Sequence, residues 1–193
     1  MNIFINTKTY NYVDYRKHVE HDLEIKLLSS DADKDEMIPY IQLNKSRMNR
    51  LDKTITLPED VLSRLKALEH SYIFYVISEG WCGDAAQIVP IINVMVNAVP
   101  SIDLRIILRD DNLEIMDQYL THGARSIPKL VIFDAQGNEV ATWGPRPKAA
   151  AQLVIDLKEQ YGGITQEVKE GLQKWYNTDK GYTTMTEILD LLK

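Results

Sequence analysis

The chain has 193 residues, above the roughly 100 to 150-residue mode for one domain, which favours a single domain with appendages over two independent units. Hydrophobic residues at 45% and charged residues at 26%, with 9 Gly and 7 Pro, exclude intrinsic disorder and collagen-like repeats. A net charge of -6, from 22 basic against 28 acidic residues, supplies no positive field for phosphate backbones or anionic lipid, so neither nucleic acid nor a membrane is expected as partner.

The opening segment, Met1 to Thr9, lacks both a basic n-region and a continuous apolar h-region, and no signal peptide is read there. Tyr72 to Ile77, the longest clean apolar run, is far short of the roughly 20 residues of a membrane helix. Cys82 is the one cysteine, which excludes an intramolecular disulfide and a Cys-rich zinc site. A soluble, cytoplasmic protein is expected.

Residues 10 to 54 read as two helical pieces separated by the polar stretch Ser29 to Glu36. The second piece spaces Ile38, Ile41, Met48 and Leu51 for one helix face and sets Lys45, Arg47, Arg50 and Lys53 on the other, which reads as a solvated surface, with an anion or partner site as the alternative. From residue 54 strands and helices alternate. Thr54 to Leu57 is a candidate short strand, and Thr56-x-x-Glu59 with Pro58 predicts a helix start running to Glu69. Tyr72 to Ser78 is β-branched and aromatic without polar alternation, as in a strand covered on both faces. Helix Cys82 to Ala98, strand Asp103 to Arg109 and helix Leu113 to Thr121 follow. Strand Lys129 to Phe133 turns through Asp134 to Asn138 into strand Glu139 to Trp143, an antiparallel hairpin, and helix Lys148 to Tyr161 closes the unit. Beyond Gly162-Gly163 one or two more helices carry Leu172, Trp175, Ile188 and Leu189, with a break near Asp179-Lys180-Gly181. The class is α/β, a mixed sheet flanked by helices. Residues 1–53 form an N-terminal helical extension packed on a core of residues 54–161, and residues 162–193 a C-terminal helical extension.

The chemistry concentrates in Glu79 to Pro90, E-G-W-C-G-D-A-A-Q-I-V-P, where a buried strand turns into a helix. A cysteine in the first turn of a helix meets unpaired backbone N–H groups and the positive end of the dipole, which favour thiolate. Trp81-Cys82-Gly83 at this junction, Pro90 eight residues after the cysteine, and Ser126-Ile127-Pro128 heading a later strand 46 residues beyond Cys82 together resemble the thioredoxin family. K-L-V-I-F-D-A-Q-G-N-E-V after Pro128 resembles that fold's closing hairpin, with Gly144 behind it. W-C-G-D-A combined with Trp143 to Pro147 is similar to a group of bacterial thioredoxin-like proteins of unassigned substrate.

The resemblance implies a cis Ile127-Pro128 peptide beside Cys82 and an Ile127 backbone open to an extended substrate. Trp81, Gly83, Ile127, Pro128, Arg125 and Arg146 are then the substrate-binding candidates, and Cys82 and Asp84 the catalytic ones. Two departures change the chemistry. Ala85 replaces the second cysteine of C-x-x-C, so no internal thiol can resolve a mixed disulfide, and Val76 stands where the family has a buried carboxylate. Any turnover must borrow an external thiol.

Asp84 has two readings. It stabilises the helix dipole by roughly 0.3 to 1 kcal/mol, or it exchanges a proton with Cys82. At about 6 Å and an effective dielectric of 20 to 80, its charge would disfavour the thiolate by roughly 0.7 to 3 kcal/mol, comparable to the dipole's help. His18 and His21 lie three apart on a helix but suggest no third metal ligand, so no metal is expected. Arg125 and Arg146 could meet an acidic substrate or glutathione carboxylates, or remain solvated.

The leading expectation is a single-cysteine thiol redox protein in which Cys82 forms a mixed disulfide with a thiol- or disulfide-bearing protein or small thiol. It needs no cofactor beyond glutathione or another external thiol as co-substrate. The alternative is a non-catalytic thioredoxin-fold module that binds a peptide or protein. A thiol peroxidase would need an acidified cysteine, against which Asp84 argues.

Overall fold

The computed structural model describes residues 3–192, so Met1 and Asn2 of the segment inspected for a leader lie outside the described residues. α1 (Tyr12–Leu28) and α2 (Ile38–Thr54) are the two predicted N-terminal pieces, and the polar stretch between them holds a single 3₁₀ turn, Ala32–Lys34. Asn11 starts α1 by accepting the Asp14 N–H on its side-chain oxygen at 2.9 Å, satisfying one of the helix's free donors. α2 turns Ile38, Ile41, Met48 and Leu51 inward, as their spacing predicts.

α3 (Glu59–Lys66) starts after Pro58, with no side-chain cap from Thr56, and stops short of Glu69. β1 (Tyr72–Ser78), α4 (Gly83–Asn97) and β2 (Ile102–Leu108) form the crossover, with β1 and β2 parallel. After α5 (Leu113–Met116), β3 (Lys129–Asp134) and β4 (Glu139–Trp143) make the hairpin. α6 (Lys148–Tyr161), α7 (Gln166–Asp179) and α8 (Tyr182–Leu189) end the chain. The sheet order is β2-β1-β3-β4, with β3 antiparallel to both neighbours. This is a thioredoxin-like α/β fold.

Two predicted elements are corrected. Thr54 to Leu57 is no strand: Thr54 ends α2, and the place beside β2 is taken by Tyr10, which exchanges two 2.8 Å hydrogen bonds with Ile106. The predicted helix to Thr121 stops at Met116, because the chain tightens into i→i+3 bonds at Gln118 and Tyr119. It then reverses through His122 and Gly123, both in the left-handed region. That reversal carries the chain back toward the start of β3.

β1 sits between β2 and β3, and all its residues except Ile73 are buried. Its side chains divide the core. Tyr75 stacks on Phe4 with centroids 4.3 Å apart and meets Phe133 edge-on, while the buried Tyr15 hydroxyl of α1 bonds the Ser78 hydroxyl at 2.9 Å. α2 packs along α4, and α8 packs against both α3 and α4. α7 packs on α6 and reaches α4 through Gln87, whose side-chain amide donates to Gln173 at 3.0 Å. Glu187 of α8 accepts from the Trp143 indole and the Lys148 backbone, closing the far side.

Candidate functional site

β1 ends at Ser78, and Glu79, Gly80 and Trp81 lead to Cys82, the N-cap of α4. Its Sγ accepts the Ala85 N–H at 3.5 Å, and its thiol donates to the Ile127 carbonyl at 3.3 Å. The sulfur thus joins the helix start to the segment ahead of β3, and Cys82, Ile127 and Pro128 form one buried group. The Ile127-Pro128 and Gly144-Pro145 peptides are both cis. Gly144 lies at φ 106°, and a Cβ there would overlap the Pro128 carbonyl oxygen, so the chain after β4 approaches this group as only glycine allows.

Cys82 is 8% exposed. Burial first, and the Asp84 carboxylate second, push its thiol up to about 12, against the opposing help of the Ala85 and Asp84 N–H groups and Arg146. The helix-start donors expected to favour thiolate are present and are outweighed, because desolvating a sulfur anion costs more than a few N–H dipoles return. The resting form at neutral pH is the thiol.

Asp84 is occupied. Its Oδ2 lies 2.5 Å from the Arg146 guanidinium and its Oδ1 accepts the Tyr176 hydroxyl at 2.8 Å, with the carboxylate side chain 10% exposed. Arg146, with its side chain 29% exposed, is the counter-ion of Asp84. Arg125 lies on an exposed loop, where its guanidinium makes two bonds to Asp117, at 2.6 and 2.8 Å. Trp81 carries the Arg109 guanidinium 4.6 Å from its ring centroid. Val76 is fully buried opposite Leu130, so no carboxylate stands at that strand position. Glu79, three residues before the sulfur, is itself a buried carboxyl; burial first raises it to about 7, and it accepts the Asp110 N–H at 2.8 Å.

Several side chains of the site come from α2 and α7, and of these Asn44 and Tyr176 were not picked out from the sequence. Asn44 of α2, 1% exposed, donates to the Gly80 carbonyl at 3.1 Å and accepts from Arg47 at 3.0 Å. Arg47, expected on a solvated face, is half-buried over Gly83, where a Cβ would come within 3.2 Å of its guanidinium. Tyr176 is buried in α7, and burial followed by Asp84 raises its hydroxyl well above the usual range. A polar Asn44 inside the apolar spacing of α2, and Arg47 on its basic face, were the local signals for this cluster. A cavity of about 690 Å³ opens beside Cys82, floored by Trp81 to Asp84 and walled by α2 and α7. Among the described residues no three His, Cys, Asp or Glu side chains group to hold a metal ion, and His18 packs against the Tyr10 ring. No described helix is long and apolar enough to cross a membrane.

A protein-family model described as Thioredoxin matches residues 31–161. The chain belongs to the thioredoxin family. The match begins ahead of α2 and so takes in a helix that the sequence reading assigned to the N-terminal extension. Among solved structures, a protein of unknown function from Pseudomonas aeruginosa is similar at 18% identity and TM-score 0.60, covering 95% of this chain and 91% of the other. An HIV epitope scaffold is similar at 18% identity and TM-score 0.51, covering 90% of this chain and 93% of the other. Both likenesses concern the fold alone. No curated protein matches.

Proposed function

We propose that this thioredoxin-family chain is a thiol redox protein in which Cys82 exchanges with a disulfide or a glutathionylated thiol and an external thiol completes the cycle. Supporting this reading is the placement of Sγ at the N-terminus of α4, against Ile127 and on the floor of the cavity. In the first step Sγ attacks one sulfur of R–S–S–R′, the S–S bond breaks, and the Cys82 proton leaves with R′S⁻ as R′SH. A second thiol, R″SH, then attacks the mixed disulfide, giving R–S–S–R″ and returning the proton to Cys82. Ala85, buried and three residues along, carries no thiol for this second step, so a dithiol cycle within one chain is excluded.

One observation favours the second reading, a binding module without redox turnover: burial and Asp84 keep Cys82 protonated, which slows its attack. Incubation of the pure protein with oxidised glutathione separates the two. Exchange predicts a gain of one glutathione by intact mass, absent in Cys82→Ser and released by added reduced thiol. Wild type that stays unmodified at pH 8 to 9 over hours would rule exchange out and leave the binding module.

A further inference from the structure

α2 carries two apolar stripes. One, with Ile38, Ile41, Met48 and Leu51, enters the core. The other, the N-cap Met37 with Tyr40 and Leu43, is 37%, 45% and 48% exposed and lines the cavity beside Cys82. Leu172 and Tyr176 of α7 form the opposite wall, with Trp81 and Gly83 below. A concave, mainly apolar space of about 690 Å³ with one or two placed polar groups is the form of a small-molecule site.

Charge selects the ligand. Arg47 projects into this space over the start of α4, and its bond among the described residues goes to the neutral Asn44. The nearest buried carboxylate, Asp84, is already bound by Arg146 and Tyr176. Glu170, the other carboxylate lining the cavity, accepts from Gln166 at 2.9 Å. Lys169, also on the rim, adds a second cation over the Tyr40 ring. Burial first depresses the Arg47 guanidinium, against the opposing attraction of the Asp84 carboxylate, so this cation is partly stripped of water.

We propose that the cavity between α2 and α7 binds a small molecule with an apolar body and one carboxylate, the carboxylate on Arg47 and the body along Met37, Tyr40, Leu43 and Leu172. Resting on the exchange reading above, this makes the substrate of Cys82 an amphipathic small acid bearing a thiol or disulfide. α2 and α7, which wall the cavity, are the specificity element.

The test uses ligands without sulfur, so binding is read apart from thiol chemistry. Calorimetric titration of the full chain, wild type and Cys82→Ser, compares 4-phenylbutyrate with its neutral amide. The acid is expected to bind both proteins about tenfold or more tighter than the amide, the value of a charge-assisted hydrogen bond in a partly desolvated site. Arg47→Gln should abolish the preference, and Leu172→Trp, which fills the space, should abolish binding, with melting curves confirming that each variant is folded. Equal binding of acid and amide, no heat from either, or a preference that survives Arg47→Gln would overturn the proposal. Acid binding to a protein that never takes up glutathione would uphold the site and sink the exchange reading, while glutathione uptake without acid binding would do the reverse.

Discussion

The two sides of Cys82 are built differently. Behind it, β1 and α4 bury Phe74, Val76, Ile77, Ile88 and Ile92 almost completely, so each side chain is held by neighbours on every side. In front, the α2 and α7 walls leave Met37, Tyr40 and Leu43 in solvent and meet the sulfur's surroundings through Asn44, Arg47 and Tyr176. The rear fixes where the sulfur is and buries it, and the front adds the Tyr176 hydroxyl on the Asp84 carboxylate beside it. Changes behind Cys82 should therefore appear mainly as stability, and changes in front mainly as reactivity and binding.

The largest effect should come from the rear. Phe74→Ala, a cavity at a fully buried residue of β1, is expected to cost about 3 to 5 kcal/mol in urea unfolding, whereas Leu43→Ala should stay within about 0.5 kcal/mol. Similar losses for the two would erase the contrast.

Glu79 comes next, because it belongs to the rear yet titrates. Its carboxyl is raised from 4.5 to about 7, so the folded chain holds this proton more tightly than the unfolded chain. Its contribution to stability is therefore lost as pH rises from about 4.5 through about 7 and is level above that. Glu79→Gln keeps an oxygen for the Asp110 N–H and removes the buried charge, so it should stabilise the protein at pH 8 by about 1 to 3 kcal/mol and leave pH 4 little changed. A mutant with the wild-type pH profile would show the carboxyl to be solvated.

In front, Asp84→Asn removes the second cause of the raised Cys82 thiol while Arg146, which lowers it, remains. The thiol should become more acidic by roughly half a unit to two units, and iodoacetamide alkylation at pH 8 should accelerate accordingly. Wild type should show alkylation still climbing with pH beyond 9. A plateau near pH 8 would mean that the sulfur is already thiolate. The smallest effect is expected from Arg125→Ala, which removes an exposed pair with Asp117; neither the unfolding midpoint nor the alkylation rate should move.

Local chemistry made much of this legible beforehand. The hairpin strand Glu139–Trp143 and the helix Lys148–Tyr161 have the bounds that the Gly-containing turn and the apolar spacing predict. Cys82 falls at a helix start, where its Sγ caps α4 by accepting the Ala85 N–H. The misreadings lie where a local pattern competed with a distant partner. Thr54 to Leu57 has strand-like residues, but Tyr10 holds the edge of β2, and Leu113 to Thr121 has helical spacing in a chain that must reverse before Pro128.

What the amino-acid sequence determined by itself was the fold, the position of the sulfur and the lack of a second thiol, since period, capping and residue identity act within a few neighbours. Only the tertiary structure decided the protonation of Cys82, the engagement of Asp84 with Arg146 and Tyr176, and the burial of Arg47. Tyr176 stands 92 residues from Asp84 along the chain. Desolvation and charge pairing depend on whatever the whole fold brings within a few ångströms, and neither has a period that a sequence displays.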